Sequence, residues 1–203
     1  MNLIKKIVNI FLYLIYFFIS TLVILEIIFR LTPTSESLKL QPVNDERPIL
    51  HFLPNQEVIR QTGFNFQHSV SKKINNYGYA TDINFQKKNK KKIAAIIGDS
   101  YVEALQLDNK KTFHGLLNQK MKDTVVYPFG VSGSQLPQYL AFMKFAEENF
   151  NPEIYIFIII ENDFDESWKQ EKGRPGFHYF DKLGKLERVD YNPGFLKKIL
   201  RNS

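Results

Sequence analysis

The apolar run Ile93-Ala94-Ala95-Ile96-Ile97, preceded by a lysine stretch and ended by Gly98-Asp99-Ser100, constrains this chain more than any other segment. A short Ile-rich run without polar alternation is the pattern of a strand buried on both faces, which places it inside a parallel sheet. A helix is expected to follow. Ser100 can cap it, Glu103 lies three residues on as the capping-box partner, and Ala104, Leu105, Leu107, Phe113, Leu116 and Leu117 supply a buried stripe. A serine hydroxyl at such a turn has backbone N–H groups and a helix N-terminus beside it, which favours a developing oxyanion. Ser100 is therefore either a nucleophile or simply the cap of its helix.

Two later segments repeat the arrangement. The run Thr124-Val125-Val126-Tyr127 leads to Phe129-Gly130-Val131-Ser132-Gly133-Ser134-Gln135, a glycine-bearing turn before a helical pattern from Leu136 to Phe150. Within that pattern Phe142, Phe145 and Phe150 stand at helical spacing and are expected in the core. A third run, Ile154 to Ile160, ends at Glu161-Asn162-Asp163-Phe164. Neighbouring parallel strands open their carboxyl ends onto one crevice, so the three polar turns are expected to converge there.

These segments resemble the SGNH (GDSL-like) hydrolase superfamily over roughly residues 93 to 165. Gly98-Asp99-Ser100-Tyr101-Val102-Glu103-Ala104-Leu105-Gln106 looks like the first block of its membrane-anchored bacterial members, and Phe129-Gly130-Val131-Ser132-Gly133 like their second. The resemblance implies Ser100 as nucleophile, supported by Gly98 and Asp99. It also implies an oxyanion hole made by the N–H groups of Ser100 and Gly133 and the side-chain amide of Asn162. The implied fold is α/β, a three-layer α/β/α sandwich with a parallel flavodoxin-like sheet, preceded by one transmembrane helix. The implied function is an ester hydrolase acting on an ester or acetylated carbohydrate or lipid of the cell envelope, without metal or cofactor. Two alternatives stand beside it: an O-acetyltransferase for an envelope polysaccharide, and a non-catalytic membrane-tethered remnant.

The chain departs from the family pattern at two points. The family's base is a histidine in a late Asp-x-x-His block, and no Asp-x-x-His occurs here. A serine hydroxyl without a base is a weak nucleophile near neutral pH. Glu161 stands where the family has a small residue, and it is expected to crowd the pocket or add negative charge near the oxyanion. Among the histidines, His51 and His68 lie upstream of the sheet as surface or packing residues. His114 would sit about four helical turns past Ser100, roughly 20 Å along the axis and out of reach. His178, in the loop Gly173-Arg174-Pro175-Gly176-Phe177-His178, remains as a possible base. Only three strands can be counted, and Gly194 to Ser203 resembles a helix cut short, so a natural product that continues past Ser203, or a gene interrupted there, is expected.

At the amino end, Lys5 and Lys6 precede an almost uninterrupted apolar stretch from Ile7 to Phe29. About 23 residues at 1.5 Å each cross a bilayer core of roughly 30 Å. Glu26 and Arg30 fall one turn apart near its far end, where they can pair. Leu25-Glu26-Ile27-Ile28-Phe29-Arg30 offers no small-residue cleavage site, so an uncleaved anchor over residues 1–31 is expected rather than a signal peptide. The leading lysines favour a cytoplasmic amino terminus and a catalytic part outside the cytoplasmic membrane.

Residues 32–92 are expected to form a linker, Thr32 to Ser37, and an irregular extension with a small hairpin around Asn75-Asn76-Tyr77-Gly78-Tyr79, before the hydrolase-like domain of residues 93–203. With no cysteine, disulfides and thiolate metal sites are excluded. The net charge of +6 draws attention to Lys87-Lys88-Asn89-Lys90-Lys91-Lys92. No aromatic platform or nucleic-acid motif accompanies that run, so a solvated loop is expected and no nucleic-acid partner.

Overall fold

The computed structural model describes residues 3–32, 35, 37–63, 67–192 and 194. Pro33, Thr34 and Glu36 of the expected linker, and the expected terminal helix beyond Gly194, lie outside the described residues. The chain divides into two compact units, residues 1–35 with 61–69 and residues 36–60 with 70–203.

The first unit is dominated by helix α1, Leu3–Leu31. Its 29 residues extend about 44 Å at 1.5 Å per residue, and none of its side chains is buried in protein. Several of its polar side chains find partners within the helix, as suits an apolar surrounding. The hydroxyls of Ser20 and Thr21 donate to the Phe17 carbonyl at 2.9 and 2.8 Å, and Arg30 pairs with Glu26 at 2.7 Å. This helix is long and apolar enough to cross a membrane.

The second unit is mixed α/β. Strands β1 (Leu40–Gln41) and β2 (His51–Phe52) pair antiparallel, and β3 (Gln56–Thr62) pairs with β4 (His68–Ile74), whose residues 61–62 and 68–69 are counted with the first unit. The expected turn at Asn75 follows, closed by an antiparallel bridge from Ile74 to Ala80. The Asn75 carboxamide oxygen holds it by accepting from the N–H groups of Tyr77 and Tyr79.

Next come β5 (Lys92–Gly98), α2 (Ser100–Glu103), a 3-10 turn at Asn109–Lys111, and α3 (Phe113–Lys120). They are followed by β6 (Thr124–Gly130), α4 (Leu136–Phe150), β7 (Ile154–Phe157), α5 (Asn162–Asp165) and α6 (Lys169–Lys172). The antiparallel pair β8 (Phe177–Phe180) and β9 (Leu186–Val189) ends the described elements. Strands β5, β6 and β7 form a parallel sheet in the order β6-β5-β7, with Gly98 opposite Gly130 and Ile97 opposite Phe157.

The pleat sends alternate side chains of β5 to two cores, which is why the run carries no polar residue. Ala95 and Ile97, with Tyr127 and Phe129 of β6, pack under Tyr139, Phe142, Ala146 and Phe150 of α4. Ala94, Ile96 and Val126 form the other core with Val102, and Leu117 and Met121 pack against it. Residues expected to be a separate extension enter the first core directly: Val43, Leu50, Phe52, Ile74, Tyr79 and Phe85 belong to it. The rings of Phe85 and Tyr127 stack at 4.2 Å between centroids, and the Tyr127 hydroxyl accepts from the Gln86 N–H at 3.0 Å.

Candidate active site

At the carboxyl end of β5 the chain turns through Asp99, which is buried and caps α2. One carboxylate oxygen accepts from the Tyr101 N–H at 2.9 Å, and the other accepts from the Ser100 hydroxyl at 3.3 Å. Asp99 therefore takes the N-cap position expected of Ser100, and Ser100 is the exposed first residue of the helix.

That helix is one turn long, not the continuous one that the apolar pattern suggested. It stops at Ala104, held in the left-handed region at φ 43°, and Leu107, Phe113 and Leu116 of the expected buried stripe are exposed. The cause is tertiary. Lys72, fully buried on β4, donates from Nζ to the carbonyls of Ala104 at 3.1 Å and Leu107 at 3.0 Å. It thus satisfies acceptors that a broken helix exposes. Burial lowers the Lys72 pKa to about 8, against the pull of Asp82, Asp108 and Glu103 towards the charged form.

The first block is seated on the sheet through a close approach. Val102 lies over the paired glycines: a Cβ on Gly98 would stand 2.5 Å from its Cγ2, and one on Gly130 would stand 2.6 Å from its Cβ and 2.8 Å from the Glu103 nitrogen. Gly98 and Gly130 are required because any side chain there would lift the Ser100 turn off its strands. Glu103, expected to close a capping box, instead points to the second block, where its buried carboxylate accepts from the Ser132 N–H. Burial raises its pKa to about 7, opposed by that hydrogen bond and by Arg60 and reinforced by Asp99.

The second turn begins where β6 ends, with the Ser134 N–H donating to the Val131 carbonyl at 3.0 Å. Within it Gly133 adopts φ +82°, a conformation that glycine takes at no steric cost. Among the described residues, no protein acceptor takes the N–H of Ser100 or of Gly133. Both donors lie on turns leaving the carboxyl edge of the sheet.

The third turn leaves the same edge. Ile158 extends the β7 ladder by donating its N–H to the Ile97 carbonyl at 2.9 Å. Asn162 then opens α5 with an exposed side chain, and Glu161 beside it is exposed too. The residue that sequence reasoning passed over is Asp163, fully buried beside Asn162. One of its oxygens accepts from the Tyr139 hydroxyl at 3.0 Å and from the Ile160 N–H at 2.9 Å. The other is buried without a partner among the described residues. Burial raises the Asp163 pKa, and the nearby Asp99 charge adds to the shift. Only its place directly after Asn162 hinted at a role.

The histidines do not meet Ser100 by hydrogen bond. His178 lies on β8, not in a loop, and is buried against α4. Its Nδ1 and its backbone N–H both face Gln138 Oε1, at 3.1 and 3.2 Å. Burial, assisted by Arg188, lowers its pKa to about 4, so the ring is neutral at physiological pH. The charges that bear on it are Arg188, Asp190 and Lys144, none of them on the Ser100 turn. His114 is buried on α3 near Lys72, which with burial lowers its pKa to about 3. Because the helix breaks, the axial distance does not describe its position, yet it makes no bond to Ser100 either. His51 is half-buried against the Phe52 carbonyl, and His68 is exposed.

The basic run lines an open cavity of about 660 Å³. Lys88, Lys90 and Lys91 surround it with Gln86 and Asn118, at the edge of the sheet where β5 and β6 begin, opposite the Ser100 edge. Among the described residues no cluster of three or more His, Cys, Asp or Glu side chains gathers as a metal site. No protein-family model matches this chain, and no curated protein matches it.

Proposed function

We propose that this protein is a membrane-anchored serine ester hydrolase of SGNH type, with a three-layer α/β/α sandwich of flavodoxin-like order, acting on acylated envelope material. The observation that carries the reading is an exposed Ser100 at the carboxyl edge of a parallel sheet, with two N–H donors on turns leaving that edge, those of Ser100 and Gly133, that no protein acceptor takes among the described residues. Preorganised N–H groups in that position stabilise a tetrahedral oxyanion more than a ground-state carbonyl. Ser100 Oγ attacks the acyl carbonyl, the oxyanion is held by Ser100, Gly133 and the Asn162 amide, and the alkoxide leaves with a proton. Water then resolves the acyl-enzyme; if a sugar hydroxyl does so, the same site is an O-acetyltransferase. The exported orientation is supported by Lys5 and Lys6 in the first turn of α1, ahead of its apolar stretch.

The proton taken from Ser100 needs an acceptor. The carboxylate of Asp99 is the group that Ser100 touches, while His178 is turned to Gln138 and held neutral. This observation favours a second reading, a tethered binding protein that keeps the crevice without turnover. Hydrolysis of an activated aryl acetate by the full-length protein in detergent separates the two. A serine site lacking a triad member retains roughly 10³ to 10⁴-fold catalysis over water. Weak turnover lowered at least tenfold by Ser100→Ala and unaffected by His178→Ala is expected. Turnover indifferent to Ser100→Ala would leave the binding reading.

A further inference from the structure

We propose that Glu103 is the positioning residue that holds the Gly133 N–H in place beside Ser100, so that the nucleophile's own helical turn also fixes its oxyanion donor. The inference rests on the reading of Gly133 as that donor. Gly133 itself is little packed, since a Cβ built on it would meet only the Phe177 ring edge, at 3.9 Å, whereas Val131 and Ser134 on either side are buried. Between those buried flanks the exposed Ser132–Gly133 peptide is held by hydrogen bonds, one inside the turn from Ser134 to Val131 and one outside it, from the Ser132 N–H to Glu103. Ser132 is the immediate neighbour of Gly133, so the carboxylate acts one peptide away from the donor.

Glu103 is suited to the task because its own backbone is immobilised from three sides. Val102 beside it presses onto Gly98 and Gly130. The Glu103 N–H donates to the Asp99 carbonyl at 3.0 Å, and Lys72 grips the next carbonyl, that of Ala104. Ser100 and the Ser132–Gly133 peptide are thus joined through one short rigid segment. A buried carboxylate is costly unless it accepts strong hydrogen bonds, and the bond to Ser132 is one of that kind.

The charged groups that face Glu103 are Asp99 on its own turn, Arg60 on β3 and Lys72 on β4. Asp99 opposes its ionisation, while Arg60 and Lys72 favour it. With burial the dominant influence, the carboxyl gains its proton as pH falls through about 7 and becomes a weaker acceptor for Ser132. The turn is then expected to loosen on the acidic side.

The test uses the full-length protein, labelled with nitrogen-15, in detergent micelles. The Ser132 and Gly133 amide resonances are followed from pH 5 to 9 in the wild type and in Glu103→Gln. Both amides are expected to titrate together with a midpoint near 7 and to lose that titration in the variant. Amides that stay constant in the wild type, or that titrate unchanged in Glu103→Gln, overturn the proposal; the wild-type arm does so even if the variant fails to fold. Phosphonylation of Ser100 by a p-nitrophenyl alkylphosphonate supplies the chemical readout. The rate constant at pH 8 is expected to fall about tenfold in Glu103→Gln, the scale of a slightly misplaced oxyanion donor. Equal rates in the two proteins would also refute the positioning role. If the wild type fails to react while its amides titrate, the positioning role stands and the hydrolase reading falls.

Discussion

Gly130 and Gly133 stand three residues apart in one block and are glycine for different reasons, which makes them a measurable contrast. At Gly130 an added Cβ would meet Val102 and the Glu103 backbone at 2.6 and 2.8 Å, and neither neighbour is a flexible side-chain end. Gly130→Ala is expected to cost about 1–3 kcal/mol by overpacking and to disturb the Ser100 turn along with the fold. At Gly133 there is space, but φ is +82°. Gly133→Ala is expected to cost about 1–2 kcal/mol of backbone strain and to act chiefly on the turn. Urea denaturation checks the first claim; the second is checked if Gly133→Ala slows Ser100 phosphonylation by more than its stability loss explains. The sequence made the glycine at 133 legible through the block it belongs to. It hid the need at 130, which exists only because another segment's Val102 lies across it.

Among the elements, α4 was legible to the residue and the Ser100 helix was not, for a shared reason. Helix α4 carries its own boundaries: Pro137 in its first turn, and Asn151 in the left-handed region at φ 48° before Pro152. Its ends are local, so sequence reads them. The end of α2 is imposed from 32 residues away by Lys72, a residue that composition would place on the surface. The same distance between cause and effect put His178 on a strand against Gln138, whereas its Gly/Pro-rich approach suggested a loop. Lys72→Met tests the imposed end. It removes the side-chain donor of the Leu107 carbonyl and one of the two donors of the buried Ala104 carbonyl, which also accepts from the Leu107 N–H, at about 1–3 kcal/mol for an unsatisfied group, partly offset by removal of a buried charge. The pH dependence has a definite sign. The Lys72 pKa is lowered in the fold from 10.5 to about 8, so the unfolded chain holds that proton more tightly. The stability it contributes is present above pH 10.5 and is lost as pH falls through about 8. Unfolding midpoints between pH 8 and 10 should therefore rise more steeply in the wild type than in Lys72→Met.

At the scale of the whole molecule, the sheet and the segment before it form one folding unit. A fragment beginning at residue 93 keeps every residue of the candidate site but lacks Val43, Leu50, Phe52, Ile74, Tyr79 and Phe85 from the core under α4. It is expected to show no cooperative thermal transition by circular dichroism, whereas cooperative melting of that fragment would mean the core closes without them. Strand β7 is an edge of the sheet among the described residues and exposes Ile154 and Phe157, with Ile159 exposed just beyond it, apolar side chains at a sheet edge. The proposed orientation of the anchor is checked by a topology reporter fused after Ser203, which should lie outside the cytoplasm; a cytoplasmic reporter would overturn the envelope substrate as well.

The arrangement of the aromatic side chains also decides what light can report about this protein. Trp168, the one tryptophan, is 41% exposed and meets Phe180 at 6.1 Å, beside the β8–β9 hairpin. The core under α4 holds tyrosine and phenylalanine instead, with Tyr79 and Tyr127 against Phe85 at 5.8 and 4.2 Å. Tryptophan emission therefore follows the hairpin region, while near-ultraviolet dichroism from the immobilised tyrosines follows the core. A difference between the two signals along one denaturation curve would be a departure of the hairpin from the sheet, read without any label.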